Sequence, residues 1–589
     1  MRTFRRLLGF LRPYRRGVAV SFLLAAAAMS ATVAIPWLTG RAIDSIRRGE
    51  RSDLVALAVV VAVAGVLRLA LSVGRRLVAG RVSLGVEYDL RARLYAHLQS
   101  LELGFFDRQQ TGQLMSRVTV DLQAVRFFLG YGLIFIGSSL LSILLAAVAM
   151  MLLRPELAAL ALAPVPFVVL VAWRYGRRAR PANQEVQQRI AELTAEAEEN
   201  VAGVRVVKAF ARERRQLERF GHRTARVFEQ AMTVTRLQAF YAPFIGFLPS
   251  LGLAAILFVG GREVIAGTIT LGTFTAFYAY LLMLIGPMRT LGFMLSSAQR
   301  ATASGTRIFE LLDRAPAIAA PPGAPPLPPG SGRVELRGAA LTFEGAGRPA
   351  LHDLDLVVAA GTTVALVGGT GAGKTALVSL LPRLYDVSAG AVLIDGADVR
   401  DVDPISLRQE IAVVTDDPFL FSATVHENIA YARPDATREE VEAAARRAHA
   451  DGFVRALPEG YDTLVGERGL TLSGGQRQRI AIARALLADP RILVLDDATS
   501  SVDASTEHEI KQALREAMAG RTTFVIAHRL STIALADEIV VLEDGTIEAR
   551  GTHEELVERD GLYREIVEKG LPDQVFLTRK DEEREVAGL

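Results

Sequence analysis

The order of apolar and polar residues divides the chain into two halves. In the first, long apolar runs recur at Gly17–Leu38, Leu54–Leu71, Phe128–Leu153, Leu157–Ala172, Phe244–Gly261 and Leu271–Leu295. Most approach or exceed the roughly 20 residues that a helix needs to cross bilayer hydrocarbon. Six such runs in half a chain fit poorly in a soluble core, so six membrane spans are expected. The connections Arg75–Arg126 and Arg174–Arg236 are Arg-rich, yet they keep helical periodicity with few breakers. Membrane helices are therefore expected to run on well past the bilayer.

Basic residues set the orientation. The start of the chain, "FRRLLGFLRPYRR", and the two long connections carry most of the Arg, whereas the links Arg154–Glu156 and Arg262–Thr270 hold one each. By the positive-inside tendency the N-terminus and both long connections lie in the cytoplasm. The first segment suits an interfacial amphipathic helix with its Arg side toward lipid phosphates, or an ordinary basic flank. Arg68 and Arg289 interrupt apolar runs. Each either faces a bundle interior or reaches back to an interface.

After "RAPAIAAPPGAPPLPPGSG", Arg314–Gly332, the pattern changes to short β-branched runs alternating with amphipathic helices. A Pro/Gly-rich linker followed by an α/β domain is expected. The boundaries predicted are a membrane domain over 1–313, a linker over 314–332, an α/β domain over 333–572 and a charged tail over 573–589. The fold class is thus an all-α polytopic membrane domain, with long cytoplasmic extensions, joined to an α/β domain; the motifs below make the latter a P-loop ATPase domain.

Composition agrees with that division. Of 589 residues half are hydrophobic while 22% are charged, and the net charge is only +3. No Lys/Arg tract points to nucleic acid. Cysteine is absent, which removes thiol chemistry and suits a reducing compartment. No small-residue cleavage site closes the first apolar run, so no signal peptide is expected.

The chemistry concentrates in the second half. "VALVGGTGAGKTALVSLL" fits G-x-x-x-x-G-K-[ST] at Gly368, Gly373, Lys374 and Thr375, between an expected strand and helix. Glycines let backbone N–H groups wrap a phosphate, and the following helix adds its dipole. Lys374 is then expected to bridge the outer phosphates of ATP and Thr375 to ligate Mg²⁺. "RILVLDD" delivers Asp496 to the same metal and places Asp497 toward the attacking water.

With "LTLSGGQRQRIAIARALLADP" just upstream, the chain resembles ABC transporters of the exporter type, as a half-transporter with one membrane and one ATPase domain. The likeness covers nearly the whole chain. "LSGGQ" matches the family signature, "GERG" precedes it, "SSVD" resembles the D-loop, and "VIAHRL" carries His528 as the switch histidine. "FFDRQQTGQLMSR" and "EENVAGVRVVKAFARE" are similar to the two cytoplasmic coupling segments.

The resemblance implies a nucleotide loop of Gly368, Gly369, Thr370, Gly371, Ala372, Gly373, Lys374, Thr375 and Ala376. It adds Asp416 to the nucleotide-binding set, and it makes Asp497 and His528 catalytic. It further implies that Leu472, Ser473, Gly474, Gly475 and Gln476 close over ATP held by a partner subunit. Expected cargo is a hydrophobic or amphipathic compound (drug, lipid or peptide) moved across the cytoplasmic membrane. A gated channel or regulator, or a siderophore-type importer on the same fold, are the other classes.

Three positions depart from the family pattern. Asp497 stands where a catalytic Glu is usual, one methylene or ~1.5 Å shorter, and a ~1 Å misplacement can cost on the order of 100-fold in rate. Asp416 stands where Gln is usual, and Gly345 where an adenine-stacking Tyr is usual. All three fall on the side of the site built around Lys374, while "LSGGQ" is intact. The expectation is a heterodimer whose other subunit carries the catalytic Glu; the alternative is a homodimer of modest activity.

Overall fold

A computed structural model describes residues 2–466, 469, 472–496, 504–527 and 529–569. It resolves into two compact units, Met1–Leu98 with Gly112–Arg314, and Gln99–Thr111 with Ala315–Leu589.

The first unit is helical. Its elements are α1 (Arg2–Gly9), α2 (Arg15–Arg48) and α3 (Arg51–Ser100). After α4 (Leu103–Asp107), which groups with the second unit, come α5 (Thr111–Leu153), α6 (Pro155–Ala202), α7 (Val204–Ala209), α8 (Glu213–Ile265) and α9 (Leu271–Leu312). Helices α2, α3, α5, α6 and α8 are long and apolar enough to cross a bilayer, and α9 contributes the apolar stretch Leu271–Pro287. At 50, 48 and 53 residues, α3, α6 and α8 far exceed one membrane thickness. The excess matches the expectation that these helices run on past the bilayer.

Burial in this unit is inverted relative to a soluble protein. None of the most apolar window of α3 is buried, and Val55, Val63 and Leu69 are each at least 60% exposed. A surface this apolar marks an interaction face, and on a helix of this length a bilayer fits it. Arg68 is exposed on the same helix, and the side chain of Arg289 lies outside the described residues.

Small residues let the helices approach. A Cβ on Gly272 would lie 2.0 Å from the Gly40 carbonyl oxygen, and the Gly272 N–H donates to Asp44 Oδ1 at 2.8 Å. A Cβ on Gly130 would meet Ser83 at 2.2 Å, so Gly130 serves close packing. Tyr280, 1% exposed, donates its hydroxyl to the Val33 carbonyl at 2.8 Å.

Two buried carboxylates tie α3, α5 and α9 together. Glu87 accepts from Arg91 at 2.7 Å and from Arg126 at 3.0 Å. Asp121 accepts from Ser304 Oγ and Arg307 Nε, both at 2.8 Å. Asp121 ends one of two wide π-type turns in α5, Arg117–Asp121 and Phe128–Gly132. Such turns re-aim side chains within an otherwise regular helix.

The second unit is α/β. Strands β1 (Val334–Leu341), β2 (Leu351–Val358), β4 (Ala389–Ile394) and β5 (Ala397–Asp398) form an antiparallel sheet in the order β2-β1-β4-β5. Strands β3 (Thr363–Val367), β6 (Ile411–Val414), β7 (Ile492–Asp496), β8 (Thr522–Ile526), β9 (Glu538–Glu543) and β10 (Thr546–Gly551) form the second sheet, ordered β10-β9-β3-β8-β7-β6. It is parallel except for β10.

Both faces of the parallel sheet are covered. Val364 and Leu366 of β3 enter the core shared with the antiparallel sheet, and Ala365 and Val367 enter the helical core. Two-sided burial is why these strands read as unbroken apolar runs rather than alternating ones. Before β1, Asp395 accepts backbone N–H bonds from Ser331, Gly332 and Arg333 at 3.2, 2.9 and 3.0 Å. One carboxylate thereby fixes the entry of the chain into the sheet.

Candidate nucleotide site

The apolar β3 carries the chain to the carboxyl edge of the parallel sheet, where it turns into α10 (Lys374–Leu380). That turn requires Gly373. Its φ is +101°, and a Cβ there would meet the Leu351 side chain at 2.6 Å and the Ala350 oxygen at 2.8 Å. Ala372 accepts from the Gly545 N–H at 3.2 Å and donates to Gly369 at 3.1 Å, which closes the loop.

Lys374 is only 6% exposed, and its Nζ donates to the Gly368 and Gly369 oxygens at 2.7 and 2.9 Å. Two carbonyls of the loop thus hold the ammonium at its centre. A buried cation there is worthwhile only opposite an anion.

Asp496 ends β7. Ile526 of β8 pairs with Asp496 on one side and Leu366 of β3 on the other. Asp496 therefore stands two strand spacings from the loop strand, about 10 Å between backbones. Thr370, Gly371, Gly373, Lys374, Thr375, Ala376 and Asp496 line one cavity of about 600 Å³. A Thr hydroxyl and a carboxylate on one cavity are hard oxygen donors, the set that suits Mg²⁺.

The cavity also includes residues that the sequence reading did not single out: Thr415, Phe343, Tyr385, Leu103 and Asp107. Thr415 and Val413, two apart, both line it; Asp416 is exposed and outside the lining. Gly345 has φ +85° with open space around its Cβ position. Phe343 instead packs edge-on against Tyr385, with ring centroids 5.1 Å apart at 83°. The Tyr385 hydroxyl donates to Asp107 on α4. Burial, followed by the adjacent carboxylate, pushes its pKa up to about 12.

The signature segment forms a separate feature. Ser473 caps α11 (Gly474–Ala488) in a reciprocal box: Ser473 Oγ accepts from the Gln476 N–H at 3.3 Å, and Gln476 Oε1 accepts from the Ser473 N–H at 2.9 Å. Leu472 is 9% exposed and anchored in the helical core, whereas Ser473 is exposed. Gly474 and Gly475 make the first turn without side chains. The result is an open helix N-terminus able to meet an anion from outside. The nucleotide-loop cavity does not extend to Leu472–Gln476. Asp497, Ser500–Asp503 and His528 lie outside the described residues.

Comparison with known proteins places this geometry. Residues 18–288 match the family described as ABC transporter transmembrane region, and residues 351–500 match the family described as ABC transporter. The multidrug efflux ATP-binding/permease protein of Mycobacterium tuberculosis is 41% identical over 99% of the chain, which spans only 49% of that relative's length. The ATP-dependent lipid A-core flippase of Syntrophus aciditrophicus is 38% identical over 96% of the chain and 94% of its own length. A bacterial Atm1-family exporter with ATP bound has a TM-score of 0.79 at 30% identity, over 94% of this chain and 98% of that one.

Proposed function

The chain belongs to the ABC transporter family, a multi-pass membrane protein with a cytoplasmic ATP-binding domain, and we propose that it couples ATP hydrolysis to export of hydrophobic or amphipathic compounds. The observation that carries this reading is one cavity bringing together Lys374, Thr375 and Asp496 in a chain whose other unit presents lipid-facing helices. That one relative is a multidrug efflux protein and another a lipid A-core flippase supports drugs or lipids as cargo. Peptides belong to the same amphipathic class.

In this reading Lys374 holds the outer phosphates, with its two carbonyl partners orienting the ammonium. Thr375 and Asp496 hold Mg²⁺, which when bound offsets charge on the phosphates. Because Leu472–Gln476 stands apart from that cavity, a second subunit's nucleotide completes it. Closure of two such domains on ATP, and reopening after hydrolysis, shifts the membrane helices between inward and outward openings.

The partner is a different half-transporter carrying the catalytic Glu, and this chain's own site is slow. Support comes from Asp497, Asp416 and Gly345 falling together on one side of the site while the signature is intact. The open Gly345 position leaves the adenine without a stacking ring there. A homodimer of modest activity is the alternative, favoured by the match to the flippase over 94% of that relative's length. The test uses the heterodimer: Ser473→Ala in this chain should reduce hydrolysis far more than Asp497→Asn does. Equal losses would refute the asymmetry.

A further inference from the structure

The described part of the chain begins with a basic helix that has a built environment. Leu7 of α1 is 1% exposed and fills the space above Gly305 of α9, where an added Cβ would meet it at 2.9 Å. Arg6 grips Asp313 with two bonds of 2.5 and 2.6 Å, and its guanidinium lies 3.8 Å above the Phe309 ring. Phe10 stacks on the same ring, 5.9 Å between centroids at 9°. Helix α1 is thereby clamped to the end of α9.

Beside the clamp is an open groove of about 560 Å³, lined by Arg2, Arg5, Arg6, Arg12, Phe10 and Phe309. Asp313 is the acid there, and Arg6 already occupies both of its oxygens. Among the described residues no carboxylate lies within ion-pair distance of Arg5 or Arg12. Four guanidinium groups against one carboxylate leave a strong positive excess over an aromatic floor.

We propose that this groove binds the phosphate of an anionic phospholipid headgroup from the cytoplasmic leaflet. Its location argues for lipid. By the positive-inside tendency the basic N-terminal segment, and the groove it lines, lie on the cytoplasmic side. Only residues 10–14 separate α1 from α2, a reach of at most about 22 Å to the start of a spanning helix. Guanidinium forks match phosphate oxygens, and the rings at the floor suit the glycerol and first acyl carbons. An occupant there braces α1 against α9.

The full chain in phosphatidylcholine nanodiscs, with and without phosphatidylglycerol, provides the test. Native mass spectrometry counts retained phosphatidylglycerol, and titration with a short-chain form gives its affinity. The combined Arg2→Gln, Arg5→Gln and Arg12→Gln variant keeps the Arg6 clamp and should bind on the order of 100-fold more weakly. Arg12→Gln alone, outside α1, should lose about five-fold and covers the case in which the triple variant misfolds. A control removing three exposed charges elsewhere, Arg214→Gln, Arg215→Gln and Arg226→Gln, should leave affinity close to wild type. Equal losses in groove and control variants would reduce the effect to bulk charge and overturn the proposal. Competition by inorganic phosphate as strong as by the lipid would overturn it in favour of a free-anion site.

Discussion

Removing one oxygen atom, in Tyr385→Phe, tests how α4 is held in the ATPase unit. Three contacts fix the segment around it: the Tyr385 hydroxyl on Asp107, Arg108 on Glu344, and the Ala317 N–H on Glu102 at 3.0 Å. Phe105 is 4% exposed, and Gly104 passes so close that a Cβ would lie 3.2 Å from the Tyr385 ring. A hydrogen bond to a charged group contributes about 1.5–3 kcal/mol. Asp107 is exposed and water will replace part of that, so about 1–1.5 kcal/mol is expected. The remaining Phe keeps the 5.1 Å edge contact with Phe343, and the cavity wall survives. Hydrogen exchange of residues 99–111 in the full chain should rise about five- to ten-fold, with nucleotide affinity little changed. Asp107→Ala added to Tyr385→Phe should then contribute little more. Unchanged exchange in Tyr385→Phe, or full additivity of the two variants, would refute this reasoning.

Three further outcomes follow from the geometry. Lys374→Ala removes the cation at the centre of the nucleotide loop and should weaken ATP binding on the order of 100-fold, read by displacement of a fluorescent ATP analogue. Asp121→Asn leaves Arg307 without its carboxylate; with the Arg307 side chain 48% exposed, the loss should be about 2 kcal/mol, seen as a lower thermal midpoint of the purified chain. Tyr385 titrates at about 12, above the ordinary phenol value, so its contribution to stability is complete below the ordinary value and is lost as pH rises through about 12. In Asp107→Asn its phenolate absorbance should appear at lower pH, while burial keeps the value above that of a free phenol.

The apolar helices and the glycine-rich loop were legible because both are written locally. Each of the six apolar runs falls on a helix, and the loop glycines stand where backbone geometry admits little else, as at Gly373. The two-faced burial of β3 and β7 likewise shows in consecutive apolar residues. What stayed hidden depends on distance along the chain. Tyr385 meets Asp107 across 278 positions, and no periodicity encodes such a pair. The wide turns at Arg117–Asp121 and Phe128–Gly132 were equally hidden, because an added residue in a helical turn leaves an apolar run apolar. Thr415 escaped notice beside Asp416 because strand alternation decides which neighbour faces the cavity, and that face is set by the sheet.

ATP turnover tests directly the proposal that Asp497 makes this chain's own site slow. The purified chain alone should hydrolyse ATP slowly. A half-transporter with Glu at the position of Asp497 should raise turnover on the order of 100-fold when the two are mixed. Full turnover by the lone chain, with no gain from any such partner, would contradict it.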